Sequence, residues 1–410
     1  MVRDPGINWA LRKGYGARGV VRTLSGVGFL KREEGGPMNY VRRLKGHKDT
    51  VLCCIASRAR PGIVASCGED GQICYFDLRC KDVVISLDVG GQPVSSICFK
   101  PDNEFAIYAS VGSEIKSFDL NMASSDKILE SYNYNKEEIN QISFSPKSSF
   151  LAAADDSGDV KVIDVRHNCL YRTLRAAHEN ICSSVQFLPW RPWEVITGGL
   201  DARLAIWEFS RGKCYKRIDF GNDDPTHANT SHSASQSINP PFVHAISVAQ
   251  EDMEAMSQNL CAAARGDGVI DVINIESALS GIKGRNSSQA RKHMLVKHNK
   301  KVSQDTSETS SSVQLKRLQL DHSLGGHTAA ASCVAFSLFG ENGKFVISGG
   351  NDASVKLWDW RYFGAHQGEP CKCVSINVQK KVNWLCTTPS DAENLIVCDT
   401  SKTVKVYTVV

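Results

Sequence analysis

The chain has 410 residues, of which 42% are hydrophobic and 22% are charged, and this composition excludes a protein that is disordered throughout. No apolar run approaches the roughly 20 residues that a membrane helix needs, so we expect no membrane partner. The 48 Lys and Arg against 44 Asp and Glu give a formal net charge of +4, which is too small to indicate nucleic-acid binding.

The first 37 residues are rich in Gly and Arg, and basic residues dominate from Pro5 to Arg32. We predict a disordered N-terminal extension over residues 1–37. A mitochondrial or plastid transit peptide is the alternative, which the shortage of Ser and Thr disfavours. Residues 14–19 match GxGxxG, but no strand pattern precedes them and no periodic helix follows, so we expect no dinucleotide site there.

From Met38 onward a repeated pattern organises the chain. Each unit has a His, an apolar run, a second apolar run that ends in a Gly/Asp turn, and a third run that ends in an aromatic or aliphatic residue. The clearest units begin at His47, His178 and His327. Weaker units have third runs that end at Phe118, Ile163, Ile273 and Tyr407. A period of about 40–45 residues with short strands is typical of a β-propeller, so we predict seven blades.

This pattern resembles the WD40 repeat family over about residues 39–410. The resemblance implies an all-β, seven-bladed propeller that spans residues 38–410. The last unit ends one strand short, and residues 40–44 precede the first unit, so we expect this N-terminal strand to pair with the C-terminal blade and close the ring. Polar stretches near 219–241 and 280–322 exceed the period and are predicted to be insertions on the surface.

In the family pattern, a His, a Ser or Thr, an Asp and a Trp form a buried hydrogen-bonded set, which we call the polar tetrad. Two repeats carry all four members: His178, Thr197, Asp201 and Trp207 in repeat four, and His327, Ser348, Asp352 and Trp358 in repeat six. Repeat one has Phe76 in place of the Trp, and repeat five keeps only Asp267. We expect repeats two, three and seven to depend on apolar packing alone and to be the looser blades.

The His and Asp residues recur in several repeats, whereas a catalytic constellation would occur once. His227 and His232 have no Cys or carboxylate at ligand spacing. The 15 cysteines form no CxxC pair, which indicates reduced and mostly buried thiols in an intracellular protein. We therefore predict no catalytic residues, no metal site, no cofactor and no enzymatic activity.

Three third runs end in Asp-x-Arg: Asp77 and Arg79, Asp164 and Arg166, Asp359 and Arg361. They are similar to the WDxR boxes of WD40 proteins that serve as substrate receptors of cullin-4 RING ubiquitin ligases. The similarity implies that these residues bind the ligase's adaptor, which is itself a propeller protein. An ordinary polar turn is the alternative for each box. Further stretches in repeats three to seven resemble one subgroup of the family whose members are candidate receptors of this kind.

We thus predict a non-enzymatic interaction scaffold, monomeric, in the nucleus and cytoplasm. Its partners would be the adaptor and a protein substrate that the sequence does not identify. The alternative is a scaffold subunit of a chromatin- or RNA-associated complex that uses the basic stretch at 283–301 on phosphates. Residues 297–301 form a basic cluster that is either a nuclear import signal or a solvated loop.

Overall fold

The computed structural model describes residues 38–121, 128–221, 238–253, 258–280, 317–360 and 372–409. Residues 1–37 and most of both predicted insertions lie outside these ranges. The described residues contain 28 β-strands, a 3-10 helix at His322–Leu324 and a helical turn at 275–280. Within these ranges no helix is long and apolar enough to cross a membrane.

The strands form seven four-stranded antiparallel sheets, each of which is one blade of a propeller. Blades one to three comprise β2 Val51–Ala56, β3 Ile63–Gly68, β4 Gln72–Asp77, β5 Val83–Asp88; β6 Val94–Lys100, β7 Asn103–Val111, β8 Glu114–Asp119, β9 Ile128–Tyr132; β10 Ile139–Phe144, β11 Phe150–Asp155, β12 Val160–Asp164, β13 Cys169–Leu174. Blades four to six comprise β14 Cys182–Leu188, β15 Arg191–Gly199, β16 Arg203–Glu208, β17 Lys213–Asp219; β18 Val243–Val248, β19 Leu260–Arg265, β20 Ile270–Asn274, β21 Arg317–Leu320; β22 Ala331–Phe336, β23 Phe345–Gly350, β24 Ser354–Asp359, β25 Lys372–Asn377. Blade seven comprises β26 Val382–Thr387, β27 Leu395–Asp399, β28 Thr403–Val409 and β1 Met38–Lys45.

The first strand of each blade contacts the first strands of both neighbouring blades, so these strands form a closed inner ring. The second strands are buried over most of their length, as in β3 and β11, because they lie between adjacent blades. The fourth strands lie at the rim and are largely exposed, as in β13. Seven hydrophobic clusters hold the ring together, one between each pair of neighbouring blades. The predicted all-β, seven-bladed fold is confirmed.

The ring closes through the antiparallel pairing of β1 with β28, which runs from Met38 opposite Val409 to Lys45 opposite Thr403 with a shift of register between Tyr40 and Arg42. The predicted closure of the C-terminal blade by the N-terminal strand is therefore confirmed. Arg42 on β1 also reaches blade one, where it donates hydrogen bonds to the Leu78 and Cys80 carbonyls, and it pairs with Glu393 at 2.8 Å. These bonds join the closing strand to blade one as well as to blade seven.

Candidate functional site

All three predicted WDxR boxes end a third strand, and third strands end on one face of the ring. On that face the residue after the third strand bonds to the backbone at or just before the start of the second strand. The Leu78 amide donates to the Gly62 carbonyl at 2.7 Å, and the Leu120 amide to the Phe105 carbonyl at 2.8 Å. We call this side of the propeller the box face.

In blade one, Asp77 and Arg79 form a pair within a single turn. Arg79 donates from Nε to Asp77 Oδ1 at 2.9 Å and from Nη2 to Oδ2 at 2.6 Å, and its amide donates to Oδ1 at 3.0 Å. The Asp77 side chain is 16% exposed, whereas the Arg79 side chain is 80% exposed. Hydrogen bonds from Arg79 lower the pKa of Asp77. A nearly buried carboxylate thus holds an exposed guanidinium on the box face.

In blade three, the Asp164 carboxylate is bound by a different residue. His167 Nδ1 lies 2.8 Å from Asp164 Oδ2, and the Arg166 amide donates to Oδ1 at 3.0 Å. Burial acts to raise the pKa of Asp164, but the hydrogen bonds from His167 and from the backbone outweigh it, and the pKa is lowered. Arg166 is exposed, and its guanidinium makes no hydrogen bond or ion pair with Asp164 among the described residues. This box therefore presents an Arg that its own Asp does not hold.

In blade six, Asp359 ends β24 and is nearly buried. The flanking Trp358 and Trp360 are both buried, and Trp360 Nε1 donates to the Gly343 carbonyl at 3.0 Å. Arg361 lies outside the described residues, so its predicted adaptor contact has no structural counterpart in them. Around the closed ring, blade seven alone separates this box from that of blade one.

The polar tetrad of blade six is complete. His327 Nδ1 lies 3.0 Å from Asp352 Oδ1, and His327 Nε2 lies 2.8 Å from Ser348 Oγ. Trp358 Nε1 donates to the same Oγ at 3.1 Å. Because Asp352 accepts from Nδ1, the imidazole proton is placed there and Nε2 accepts from the hydroxyl. All four members are thus joined in one buried chain.

Blade four has two of the three bonds found in blade six. His178 Nδ1 lies 2.8 Å from Asp201 Oδ1, and Nε2 lies 2.9 Å from Thr197 Oγ1. Trp207 Nε1 is buried, and no acceptor for it exists in the described part of the chain, which differs from the expected complete tetrad. Thr197 Oγ1 instead lies 3.4 Å from the Ala205 carbonyl. Only the ring of Trp207 therefore contributes here, by packing.

The carboxylates of these two blades are held in the ionised form. Burial acts to raise the pKa of Asp352 and of Asp201, but the hydrogen bond and electrostatic attraction from His327 or His178 outweigh it. The pKa of each Asp is therefore lowered. Both groups consequently stabilise the folded state above the acidic range and lose this effect on protonation.

The expectation that repeat three depends on apolar packing alone is wrong. Asp155 at the end of β11 is buried and accepts from Asn135 Nδ2 at 2.7 Å and from the Ser157 amide at 3.1 Å. Asn135 precedes its first strand by as many residues as His47 precedes β2. An Asn–Asp pair thus occupies the place of the His–Asp pair.

Repeat seven also contains a buried ionic contact, so the same expectation is wrong there. Asp399 at the end of β27 lies 2.6 Å from Lys405 Nζ and accepts from the Ser401 hydroxyl, and both charged side chains are buried. Lys405 also donates to the Val378 carbonyl. In repeat five, Asp267 pairs with Arg265, which ends β19 and also binds Asp271 at 2.7 Å. Repeat two has apolar Val111 where repeats three and seven have Asp155 and Asp399, but its buried Ser110 hydroxyl accepts from the Ser96 amide at 2.9 Å and lies 2.8 Å from Ser95 Oγ, so apolar packing alone does not describe this repeat either.

One register position separates the two kinds of blade. The residue opposite the start of the first strand is Gly68, Gly199 or Gly350 in the blades that carry the His, and Asp155, Asp399, Arg265 or Val111 in the others. A Cβ at Gly199 would lie 2.5 Å from His178 Cγ, and one at Gly350 would lie 2.5 Å from His327 Nδ1. Glycine leaves space for the imidazole, and where the His is absent this space admits a side chain.

The comparisons with known proteins agree with this architecture. The family model for the WD domain, G-beta repeat (WD40) matches residues 38–77, 126–164 and 318–359. The chain contains WD40 repeats, and its described residues form a seven-bladed β-propeller. The WD40 β-propeller domain of Doa1 superimposes with a TM-score of 0.62 over 90% of this chain and 97% of that structure, at 15% identity, which shows the shared fold alone.

Among curated proteins, the WD repeat-containing protein 53 homolog of Dictyostelium discoideum is 35% identical over 249 residues, which are 57% of this chain and 65% of that protein. The stretches in repeats three to seven that resemble one subgroup of the family resemble WD repeat-containing protein 53. The match to a homolog of that protein confirms the resemblance. The DNA damage-binding protein CMR1 of Vanderwaltozyma polyspora is 30% identical over 120 residues, which cover 28% of this chain and 22% of that protein. Each match covers less than two thirds of the relative.

No group of three or more His, Cys, Asp or Glu in the described ranges is arranged to hold a metal ion. The cysteines in these ranges are free, and burial raises the pKa of several thiols, that of Cys74 to about 12. The propeller built from these repeats presents its loops and rim to solvent, and these are the surfaces that a protein partner would contact.

Proposed function

We propose that this WD40 scaffold is the substrate receptor of a cullin-4 RING ubiquitin ligase and that its box face binds the propeller-type adaptor. The protein would act without catalysis of its own, in the nucleus and cytoplasm, by holding a protein substrate near the ligase. The boxes at Asp77 and Arg79, Asp164 and Arg166, and Asp359 and Arg361 are the proposed contacts.

The Asp77–Arg79 pair is the observation that carries the proposal. A guanidinium is a planar fork of donors suited to carboxylates and carbonyls at an interface. Asp77 uses Nε and Nη2 of Arg79 and so fixes the plane of the group, which leaves the Nη1 donors for a partner. Fixing this side chain before binding reduces the entropy that association would cost.

Neighbouring contacts fix the position of the blade-one box. Arg42 of the closing strand binds the carbonyls of Leu78 and Cys80, on either side of Arg79. The turn that carries Arg79 is therefore held in place before a partner binds. We expect one sector of the rim, blades six, seven and one, to provide the main contact, with Arg361 as the anchor, Arg79 weaker and Arg166 near neutral.

The test is co-purification of the adaptor with the tagged full chain in cells. Arg361→Ala should abolish the interaction and Arg79→Ala should weaken it, both with unchanged melting temperature. Arg211→Ala is the matched control, because Arg211 is 77% exposed at the equivalent turn of blade four and pairs with Glu208 at 3.4 Å without a WDxR box. If Arg361→Ala and an Arg79/Arg166 double variant both retain the adaptor at wild-type levels, the boxes are ordinary turns.

A second candidate is a scaffold subunit of a chromatin- or RNA-associated complex, which the similarity to a protein named as DNA damage-binding favours. The basic stretch at 283–301 is the proposed phosphate contact and lies outside the described residues. This function requires salt-dependent binding of nucleic acid by the full chain and its loss when residues 283–301 are deleted. Binding that is unchanged by the deletion would contradict it.

A further inference from the structure

An aromatic cluster lies on the box face where blades three and four meet. Phe150 of β11 and Phe209, which follows β16, form its base, with ring centroids 5.2 Å apart. Tyr171 of β13 lies 4.8 Å from Phe150 and 6.1 Å from Phe209. Trp193 of β15 lies 5.7 Å from Phe150 and 5.6 Å from Phe209. Two rings from different blades thus rest on the same pair of phenylalanines, and we call these four residues the aromatic patch.

The upper two rings of the aromatic patch are open to solvent. Trp193 is 49% exposed and Tyr171 is 36% exposed, whereas Phe150 and Phe209 are buried. Exposed Trp and Tyr beside Arg are the residue types that most often dominate binding energy at protein interfaces. The patch therefore has the composition of a binding site.

Cations surround the aromatic patch. Arg172 lies with its guanidinium carbon 5.9 Å from the centre of the Tyr171 ring and donates to the Ser210 carbonyl at 2.7 Å, so it spans blades three and four. Arg211 is the residue after Ser210, and its side chain is exposed. Three carboxylates of this region are each less than one-sixth exposed and are bound by neighbouring cations: Asp164 by His167, Glu194 by Arg191 and Glu208 by Arg211. Glu276 is 40% exposed, but both of its oxygens are bound by Arg191. The charge presented outward is therefore positive.

Blade two provides a comparison at the same level of the ring. Phe105 of β7 is also exposed near the box face, but the guanidinium carbon of Arg60 lies 4.0 Å from its ring centre. Arg60 thus covers Phe105 with a residue of the chain itself. In the described ranges no cation lies comparably close to the Trp193 ring.

We propose that the aromatic patch binds an acidic protein segment that carries one aromatic or large aliphatic side chain. The apolar side chain would pack between Trp193 and Tyr171, and the acidic residues would pair with Arg172 and Arg211. This proposal does not depend on the adaptor. A single-stranded nucleic acid would need a series of open ring faces on which successive bases stack. Here both exposed rings contact Phe209, which makes one anchor position.

The test is selection of peptides from a random displayed library on the immobilised full chain. The expected peptides contain several Asp or Glu around one Phe, Trp or Leu. Their affinity should fall at least tenfold with Trp193→Ser and several-fold with Arg172→Ala, and should be unchanged with Phe105→Ser. Thermal melts of each variant establish that the chain is folded, and Arg172→Ala, at an exposed side chain, tests the patch even if Trp193→Ser destabilises it.

Three outcomes would overturn the proposal. Selected peptides without acidic enrichment, or peptides that bind the Trp193→Ser and Arg172→Ala variants as tightly as the wild type, would show that the patch is not their site. Tighter binding of a labelled 12-nucleotide single-stranded RNA, lost with Trp193→Ser, would assign the patch to nucleic acid instead.

Discussion

Blades six and seven are neighbours with the same strand topology, yet they fill the space at the start of the first strand with different chemistry. In blade six, Gly350 leaves room for the imidazole of His327, and the carboxylate of Asp352 lies in the following turn. In blade seven the carboxylate of Asp399 is on the strand itself and pairs with Lys405. Blades six and seven therefore each keep one carboxylate at this place, paired with an imidazole in blade six and with an ammonium in blade seven.

This comparison separates the loss of a consensus residue from the loss of its interaction. Blade three has no His, yet the Asn135–Asp155 pair bonds the segment before the first strand to the end of the second, as the imidazole does elsewhere. A blade that departs from the consensus can thus retain a buried network. Removing one member of such a network leaves the other unsatisfied, which costs more than the pair contributes.

The largest effect is expected in blade seven, where the ring closes, from Asp399→Ala. The change leaves the Lys405 ammonium buried without its carboxylate, and breaking a buried ion pair in this way costs about 3–5 kcal/mol. Urea denaturation at pH 7 would measure the loss. The double variant Asp399→Leu with Lys405→Met removes both charges and should recover most of it. A double variant as unstable as the single one would contradict an ion-pair origin.

Asp155→Ala in blade three and Asp352→Ala in blade six should each cost about 2–4 kcal/mol, because both leave buried polar partners unsatisfied. Near-equal losses would establish that the substitute pair is equivalent to the tetrad. The Asn135→Ala variant provides a second measure, since it removes the donor and leaves the Asp155 carboxylate. A loss well under 1 kcal/mol for Asp155→Ala would restore the expectation of apolar packing alone.

A transplant of the blade-three pair into blade four sharpens the comparison. Gly199→Asp alone should cost about 1–3 kcal/mol, because its Cβ would lie 2.5 Å from His178 Cγ. His178→Asn replaces the rigid ring with a shorter side chain that can turn away from the new Cβ and donate to the new carboxylate, so the double variant should be more stable than Gly199→Asp. A double-mutant cycle measures this coupling. Additive losses would mean that the two positions do not share one space.

Acid provides a further test on the blades that carry the His. Because the pKa of Asp352 is lowered in the folded state, its contribution to stability is complete above the unfolded value of about 4 and is lost as pH falls through the lower folded value. Asp352→Asn should therefore reduce stability at pH 7 and flatten its decline below about pH 5. Urea midpoints measured from pH 7 to pH 3 would show this. An unchanged slope would contradict the assignment.

The sequence was sufficient to predict the blade count and the closure of the ring. The repeat period determines the number of blades, and the last unit lacks one strand while an extra strand precedes the first unit. It also paired His178 with Asp201 and His327 with Asp352. It did not reveal the role of Asp155 or Asp399, because each lies two residues before the position of the consensus carboxylate, where these repeats have Ser157 and Ser401. The Gly-to-Asp exchange at this register position is the signal that could have identified them.

Two features were beyond pattern reading for a different reason. The aromatic patch joins Tyr171 and Trp193, which are brought together by the packing of separate blades. The missing bond of Trp207 distinguishes blade four, which has Thr197, from blade six, in which Ser348 accepts the corresponding bond from Trp358. Position in sequence does not encode either feature.

The smallest expected effect concerns Trp358 of blade six and Trp207 of blade four. Trp358→Phe removes a hydrogen bond to the buried Ser348 hydroxyl, whereas Trp207→Phe removes an N–H that has no acceptor in the described ranges. Both changes lose similar ring volume, so the difference between them isolates the hydrogen bond, and we expect Trp358→Phe to cost about 1 kcal/mol more. Paired urea titrations would resolve this difference. Equal losses would mean that the tryptophan bond contributes nothing to the tetrad, and that the imidazole and carboxylate alone account for its polar stabilisation.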